Sequence, residues 1–489
     1  MPTFLASGFL VFLMDNSDSP NEGSLRTRSE VSLHRLALDV VNRVLTREGF
    51  ASFELYKAFK VLHLPPVEKQ VVFEDVWGML ADLYQVDFLL KQYRRLNVQG
   101  MPLELLNFLR FGAFLILRGG RSRAQVQSVV SEMGEEFAAK YGGFIDRVMN
   151  FLEKNAVRIL AEGLSALPVA EQLAVRYSFP QWVVDLWVAQ YGSEFAEDLC
   201  RASNLRPPQD LRVNVTRQAV EDVQELCWDE KIRCDEGTIA PHALTVPNGV
   251  EVFKTKAFQE KLIEVQDQGS QLVTYLVDPG PSDIVLDYCA GTGGKTLQLA
   301  GLFALQVQDP QVRIYASDIS PGKLSVLSRR VNRAYAKPNR VEVVQQPDLP
   351  VLAETVTFTK ILVDAPCSGL GNLRRNPGIK ATATPTDAAE LVAKQAEILR
   401  AVANLARPGT RIIYITCTID PPENEEQIQA FAAASPEFEI LPYREALSAG
   451  NPILAASIPT HSRLDGRFFM LYPPLTGTDG FFGAILQKL

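Results

Sequence analysis

The hydrophobic period of this chain changes near residue 264, and that change limits the fold more than any other feature. Before it, apolar residues recur at three-to-four spacing. Leu36, Val40, Val41 and Val44 form one such series, Leu80, Leu83, Val86 and Leu89 a second, and Leu105, Phe108, Phe111 and Phe114 a third. This spacing lines one face of an α-helix. Few strand signals interrupt residues 31–155, so an all-α bundle is predicted there. Short helices continue over 156–208, with Pro180 opening one of them and Arg206-Pro207-Pro208 forming a hinge. Residues 209–263 read as mixed, with a strand near 211–215, a helix near 219–226 and further strands. After 264, short apolar runs alternate with helical patterns. Ile284-Val285-Leu286-Asp287, 312–316, 341–344, 361–363 and 412–415 are the predicted strands. Such alternation implies a parallel, doubly wound sheet with buried strands.

At 489 residues the chain is long enough for several domains, and its 47% hydrophobic content supplies their cores. No apolar run reaches the roughly 18 residues of a membrane span. The first fourteen residues are apolar but lack a basic start and a cleavage site. A disordered tail over 1–30, or a true start at Met14, fits them better than a signal peptide. Six cysteines are spread along the chain without a CxxC pair. This excludes a disulfide framework and a zinc site, and leaves free thiols, as in a reducing cytoplasm. The four histidines are scattered, and no metal site is predicted.

Net charge is −8, against a purely electrostatic nucleic-acid binder, yet the basic residues cluster. Lys91, Arg94, Arg95, Arg110, Arg118, Arg121 and Arg123 face a single acid in that stretch, Glu104. Lys323, Arg329, Arg330, Arg333, Lys337 and Arg340 form a second run with no acid. Local patches suffice to hold phosphates, although each run reads equally well as a solvated helix face.

The first predicted strand of the C-terminal half runs into Asp287-Tyr288-Cys289-Ala290-Gly291-Thr292-Gly293-Gly294-Lys295-Thr296 and then a helix. Three glycines allow a sharp turn and close approach to a ligand. Asp318 ends the next strand, where an acid can accept hydrogen bonds from both ribose hydroxyls. Gly294-Lys295-Thr296 imitates a phosphate-binding loop, but that pattern needs glycine where Cys289 stands. A dinucleotide loop would need glycine where Thr296 stands. The remaining reading is an adenosine-type cofactor.

Two further strands each end in a cysteine. Asp364-Ala365-Pro366-Cys367-Ser368-Gly369-Leu370-Gly371 follows one, and Thr416-Cys417-Thr418 ends the other. Both thiols therefore belong at the carboxyl edge of the sheet, beside the glycine loop. Free cysteines are often merely buried, but the placement next to Asp364 points to chemistry. Carbon 5 of cytosine is a poor nucleophile. A thiolate adding to C6 makes C5 enamine-like, so that it attacks the methyl group of S-adenosylmethionine. An acid at N3 steadies the developing charge, and the C5 proton then leaves before the thiol is expelled. The residues alone leave open which cysteine attacks.

Taken in order, 265–271, 287–296, 364–371, Thr416-Cys417-Thr418 with 421–425, and Asp479-Gly480-Phe481-Phe482 resemble the Sun (Fmu) family of RNA cytosine-5 methyltransferases. The likeness covers roughly 210–489. The helical stretch is similar, by pattern and arrangement, to the NusB-like RNA-binding domain. The fold class implied is an N-terminal all-α NusB-like bundle plus a C-terminal α/β Rossmann-like class I methyltransferase. The resemblance implies Cys417 as nucleophile, Cys367 as the helper in proton removal or release, and Asp364 against the cytosine. It implies a cofactor site for S-adenosyl-L-methionine from Cys289, Ala290, Gly291, Thr292, Gly293, Gly294, Lys295, Asp318, Asp348 and Asp364, with Asp318 on the ribose and Asp348 near the adenine. RNA is the implied partner, small-subunit rRNA in particular, held by Lys91, Arg94, Arg95, Arg121, Arg123, Arg374 and Arg375. Some positions depart from the family pattern. The family loop reads Cys-Ala-Ala-Pro-Gly-Gly-Lys-Thr, with Gly291-Thr292 standing here for Ala-Pro. Gly378 replaces the usual acid, a candidate partner for Arg374 and Arg375. Asp348 follows Pro347, where a small residue is usual.

The expected organisation is a tail over 1–30, a NusB-like domain over 31–155, a helical linker over 156–208, a small α+β RNA-positioning part over 209–263 and the methyltransferase domain over 264–489. A monomer in the cytoplasm, without metal or membrane, is expected. Competing readings are a catalytically silent RNA-binding assembly factor, and the same chemistry on tRNA or large-subunit rRNA.

Overall fold

The computed structural model describes residues 32–94, 96–306, 313–334, 341–456, 458–459 and 466–489. The expected tail, Arg95, Lys337, Arg340 and His461 lie outside the described residues. The chain divides into two compact units. One is helical, running from residue 32 to Leu205 and including Asn376–Ala383. The other comprises Arg206–Arg375 and Thr384–Leu489.

In the helical unit, Leu33–Leu45, Ala51–Leu62, Pro66–Gln92, Leu103–Leu117, Arg123–Glu132, Glu135–Leu164, Val169–Tyr177, Gln181–Tyr191 and Ser193–Asn204 are α-helices. All three periodic series of the sequence turn inward: Val41, Leu80 and Phe111 have no exposed surface, and the rest are buried. Local chemistry sets the ends. Ser32 Oγ accepts the Arg35 N–H (3.2 Å), and Ser122 with Gln125 closes a capping box. Residue 155, the expected edge of the helical domain, falls inside Glu135–Leu164, which has no proline or cap there. Gly378 packs in this unit too: a Cβ on it would meet Val44 and Leu80. Lys380 is buried. Its Nζ donates to Ala81 O (3.0 Å) and Asn204 Oδ1 (2.9 Å) and lies 3.8 Å from the centre of the Phe179 ring.

The second unit holds two sheets. The small one has the order β2-β3-β1-β4, from β1 (Gln209–Val213), β2 (Asp235–Glu236), β3 (Ala243–Val246) and β4 (Ile263–Val265). The large one contains β5 (Val285–Asp287), β6 (Ile314–Ala316), β7 (Val341–Val343), β8 (Lys360–Asp364), β9 (Arg411–Thr416), β10 (Phe438–Leu441), β11 (Phe469–Leu471) and β12 (Phe481–Lys488). Its order is β10-β12-β9-β8-β5-β6-β7, with β11 also on β12. The five strands β7, β6, β5, β8 and β9 are parallel, as the alternation predicts. The rest departs from an all-parallel sheet, because β12 runs antiparallel to β9, β10 and β11. A hairpin return from β11 needs no crossover helix, so the sheet closes with a reversed strand. β5 sits between β6 and β8, so the chain turns opposite ways from it. A crevice opens there, at the carboxyl ends of the strands.

Candidate active site

Four of these strand ends deliver the predicted residues to that edge. After β5, the loop turns through Gly291 (φ 56°) and Gly293 (φ 93°), conformations that cost glycine little. A Cβ on Gly293 would overlap Leu327 of the helix Pro321–Ala334, whereas one on Gly291 or Gly294 would meet nothing within 4 Å. The loop is therefore packed on one side and open on the other. Asp318, beyond β6, is buried and accepts the Gly291 N–H on Oδ2 (3.0 Å) and the Ser320 N–H on Oδ1 (2.8 Å). A carboxylate has about four acceptor positions, so capacity remains for hydroxyls. Thr296 Oγ1 donates to Asp287 Oδ2 (2.6 Å), and burial raises the Asp287 carboxyl to about 7. Asp287 Oδ1 and Ser317 Oγ are buried with no hydrogen-bond partner. Open glycines, a ribose-type acid and two unsatisfied oxygens fit a nucleoside-type cofactor. Cys289 and Ala290 are half-buried in the loop, and burial pushes the Cys289 thiol well above its ordinary range. Asp348 is exposed in the turn Gln346–Asp348, whose Gln346 Nε2 donates to Tyr288 O (3.1 Å).

β8 and β9 lie side by side, and their ends bring the two cysteines together. Cys367 Sγ and Cys417 Sγ are 3.3 Å apart, with 5% and 6% residue exposure. The hydrogen bond between them, and then burial, hold the Cys367 thiol well above the usual value, so Cys367 keeps a proton to donate. Lys295 Nζ donates to Asp364 Oδ2 (2.7 Å), joining the glycine loop to the cysteine side. Burial opposes the lysine charge, but Asp364 outweighs it and raises the Lys295 pKa.

Several residues escaped the sequence reading. Glu423 accepts the Ser368 N–H (2.9 Å), the Ser368 hydroxyl and Gln395 Nε2 (2.9 Å), which fixes the loop carrying Cys367. Asn424 accepts from Thr416 Oγ1 (2.6 Å) and donates to Thr418 O (3.0 Å), so it brackets Cys417 on both sides. Both lie in the quoted 421–425 stretch, but a sequence does not reveal which partner each selects.

Arg374 is buried and Arg375 half-buried, and both are taken up by acids of this unit, which corrects their expected role as phosphate ligands. Arg374 Nε donates to Asp479 Oδ1 (2.6 Å). Arg375 reaches Asp479 Oδ2 (2.9 Å), Asp210 Oδ2 (2.8 Å) and Asp267 Oδ2 (2.8 Å). The three aspartates are buried, and the two arginines draw the Asp267 carboxyl below its ordinary range despite burial. The arginines have their acids in this unit, so the acid missing at Gly378 leaves neither of them unpaired. The network seats the loop ahead of them: the Gly371 N–H donates to Cys417 O (3.1 Å), and the Gly480 N–H donates to Gly371 O (2.8 Å).

The basic runs are also less free than counting along the chain implied. Arg110 pairs with Asp87 (2.6 Å), Arg118 with Asp82 (3.4 Å), and Arg123 with Asp146 (3.3 Å) and Glu153 (3.0 Å). Lys91 and Arg94 are exposed, and Arg121 is partly so. In the second run, Arg330 is buried and Lys323 lies 3.7 Å from Asp318. Among the described residues, no group of acids, cysteines and histidines is arranged to hold a metal, and no helix is long and apolar enough to cross a membrane.

Residues 274–487 match the family model described as 16S rRNA methyltransferase RsmB/F, and 179–253 match its ferredoxin-like domain. The chain is 28% identical to the probable ribosomal RNA small subunit methyltransferase B of Bacillus subtilis, across 94% of this chain and 99% of that protein. It is 27% identical to the ribosomal RNA small subunit methyltransferase B of Klebsiella pneumoniae, over 94% and 99% respectively. A solved structure of a methyltransferase homolog from Pyrococcus horikoshii aligns with a TM-score of 0.52 at 26% identity, covering 66% of this chain and 100% of that one.

Proposed function

From the premise that this chain belongs to the RsmB/F family of rRNA methyltransferases, we propose that it methylates carbon 5 of a cytosine in 16S rRNA through a transient Cys417–C6 bond. The observation that carries the reading is the junction of two thiols 3.3 Å apart with a carboxylate that the glycine-loop lysine touches at 2.7 Å. S-adenosylmethionine, held by this loop, supplies an electrophilic methyl group.

The chain's own residues do the rest. Cys417 sulfur adds to C6 of the base, and electron density moves to C5 and N3. Asp364 accepts from the exocyclic amino group of the base and so orients it, and the Lys295 ammonium beside it offsets the negative density on the ring. Cys367 lies close enough to pass its proton to the departing Cys417 sulfur and to assist removal of the C5 proton. Asp318 takes the ribose hydroxyls, and Asp348 lies on the adenine side. The buried sulfurs require the cytosine to leave its stack and enter the crevice. The helical unit docks structured rRNA through Lys91, Arg94 and Arg121, while Arg123 is already matched by two acids. The proposal extends to a monomer acting in the cytoplasm without a metal.

Bisulfite sequencing of rRNA from a deletion strain tests the reading. Loss of a single 16S 5-methylcytosine, restored by the wild-type gene, is expected. An unchanged 16S pattern, with the loss in tRNA or large-subunit rRNA or nowhere, would remove the substrate assignment.

A further inference from the structure

We infer that Arg330 is a positioning residue for the cofactor loop, and that it supplies the restraint which proline gives in the usual family pattern. The inference rests on the reading of this loop as the S-adenosylmethionine site.

Thr292 lies between two glycines that both adopt positive φ. Glycine is the least restrained residue, so this stretch has much conformational freedom to lose when it closes on a ligand. Where the family has Ala-Pro, a side chain and a ring reduce that freedom. Here Gly291-Thr292 provides neither. Arg330 acts from outside the loop. Its Nη1 donates to Thr292 O (2.6 Å) and to Thr292 Oγ1 (3.3 Å), an acceptor that proline lacks. Its Nη2 donates to Glu264 Oε2 (2.6 Å) on β4. The Arg330 side chain is only 6% exposed, so water competes weakly for these bonds.

The helix carrying Arg330 is itself fixed. Arg217 Nε donates to Ala334 O (3.0 Å), and the Arg333 guanidinium lies 6.0 Å from the centre of the Phe258 ring. Leu327, three residues before Arg330 and on the same helix face, fills the space where a side chain on Gly293 would stand. One face therefore supports the loop twice, by packing under Gly293 and by hydrogen bonds at Thr292.

The test uses the full-length protein, with calorimetric titration of S-adenosylmethionine and initial rates on a 16S rRNA fragment. Arg330→Met is expected to weaken cofactor binding about tenfold, the scale of a lost charged hydrogen bond, and to raise KM similarly. At saturating cofactor, kcat should stay within about threefold of wild type, because the reacting groups are untouched. Arg330→Lys, which can reach one partner but not both, should recover part of the affinity. A folded Arg330→Met protein with wild-type affinity, or one that loses kcat at unchanged affinity, would overturn the inference. If Arg330→Met does not fold, Glu264→Gln decides: a loss of about threefold supports the clamp and no loss refutes it. A wild-type protein that binds no S-adenosylmethionine would instead refute the functional reading beneath it.

Discussion

The two sides of the crevice are built differently. On the cysteine side, contacts within the protein hold the two thiols: Glu423 fixes Ser368, Asn424 brackets Cys417, and the sulfurs lie 3.3 Å apart. On the glycine-loop side, backbone is left uncovered: Gly291 and Gly294 border open space. Glycine backbone open on one face lets a ligand approach closely and loses conformational freedom when the ligand closes on it. The proposed nucleophile is thus held in place by the protein alone, while the proposed cofactor loop stays open to its ligand. Changes on the first side should act on kcat, and changes on the second on cofactor affinity.

The largest effect is expected on the cysteine side. Cys417→Ala should lower methyl transfer by about 10⁴-fold, as loss of a nucleophile does, while cofactor binding in a titration stays near wild type. Cys367→Ala should instead slow release and accumulate a protein–RNA adduct, visible as a retarded band on a denaturing gel. Next comes the cradle. Asp318→Ala should raise the cofactor dissociation constant about a hundredfold, through lost charge-assisted bonds and a loosened Gly291, with a smaller effect on kcat. Equal losses in both parameters would erase the proposed division.

Asp287 gives a pH-dependent check on the cradle. Burial raises its carboxyl from 3.8 to about 7, so the folded state binds this proton more tightly than the unfolded chain. Its contribution to stability is therefore greatest below about pH 4 and is lost as pH rises toward 7. Compared with Asp287→Asn, the wild-type apoprotein should lose roughly 3 kcal/mol across that window in urea denaturation. A pH-independent difference between the two proteins would contradict the assigned cause. The smallest effect is expected at Asn424. Asn424→Ala should cost about tenfold in kcat by loosening the flanks of Cys417, with cofactor affinity unchanged.

Elements whose signal is local were legible in the sequence. The helical series from Leu36 to Phe114 and the five parallel strands follow directly from apolar spacing, and strand ends located both cysteines and Asp318. Pairings between distant residues were not. Arg374 and Arg375 read as surface charges because Asp210, Asp267 and Asp479 lie far away along the chain. Arg330 read as part of a basic run for the same reason, since its acid is Glu264. Charge counting sees sequence neighbours, whereas burial is decided by spatial ones. The antiparallel β12 was missed because apolar spacing carries no strand direction. The expected edge at residue 155 lies within one continuous helix, where neither a proline nor a cap marks a boundary.

The most direct measurement is peptide mapping by mass spectrometry of the adduct formed on a 16S rRNA fragment containing 5-fluorocytosine, with S-adenosylmethionine present. Fluorine at C5 blocks proton removal, so the attacking sulfur stays bonded to the base. The account predicts a nucleotide adduct on the peptide containing Cys417, present in wild type and absent in Cys417→Ala. An adduct on Cys367 that persists in Cys417→Ala, or no adduct in a protein that still methylates the RNA, would contradict it.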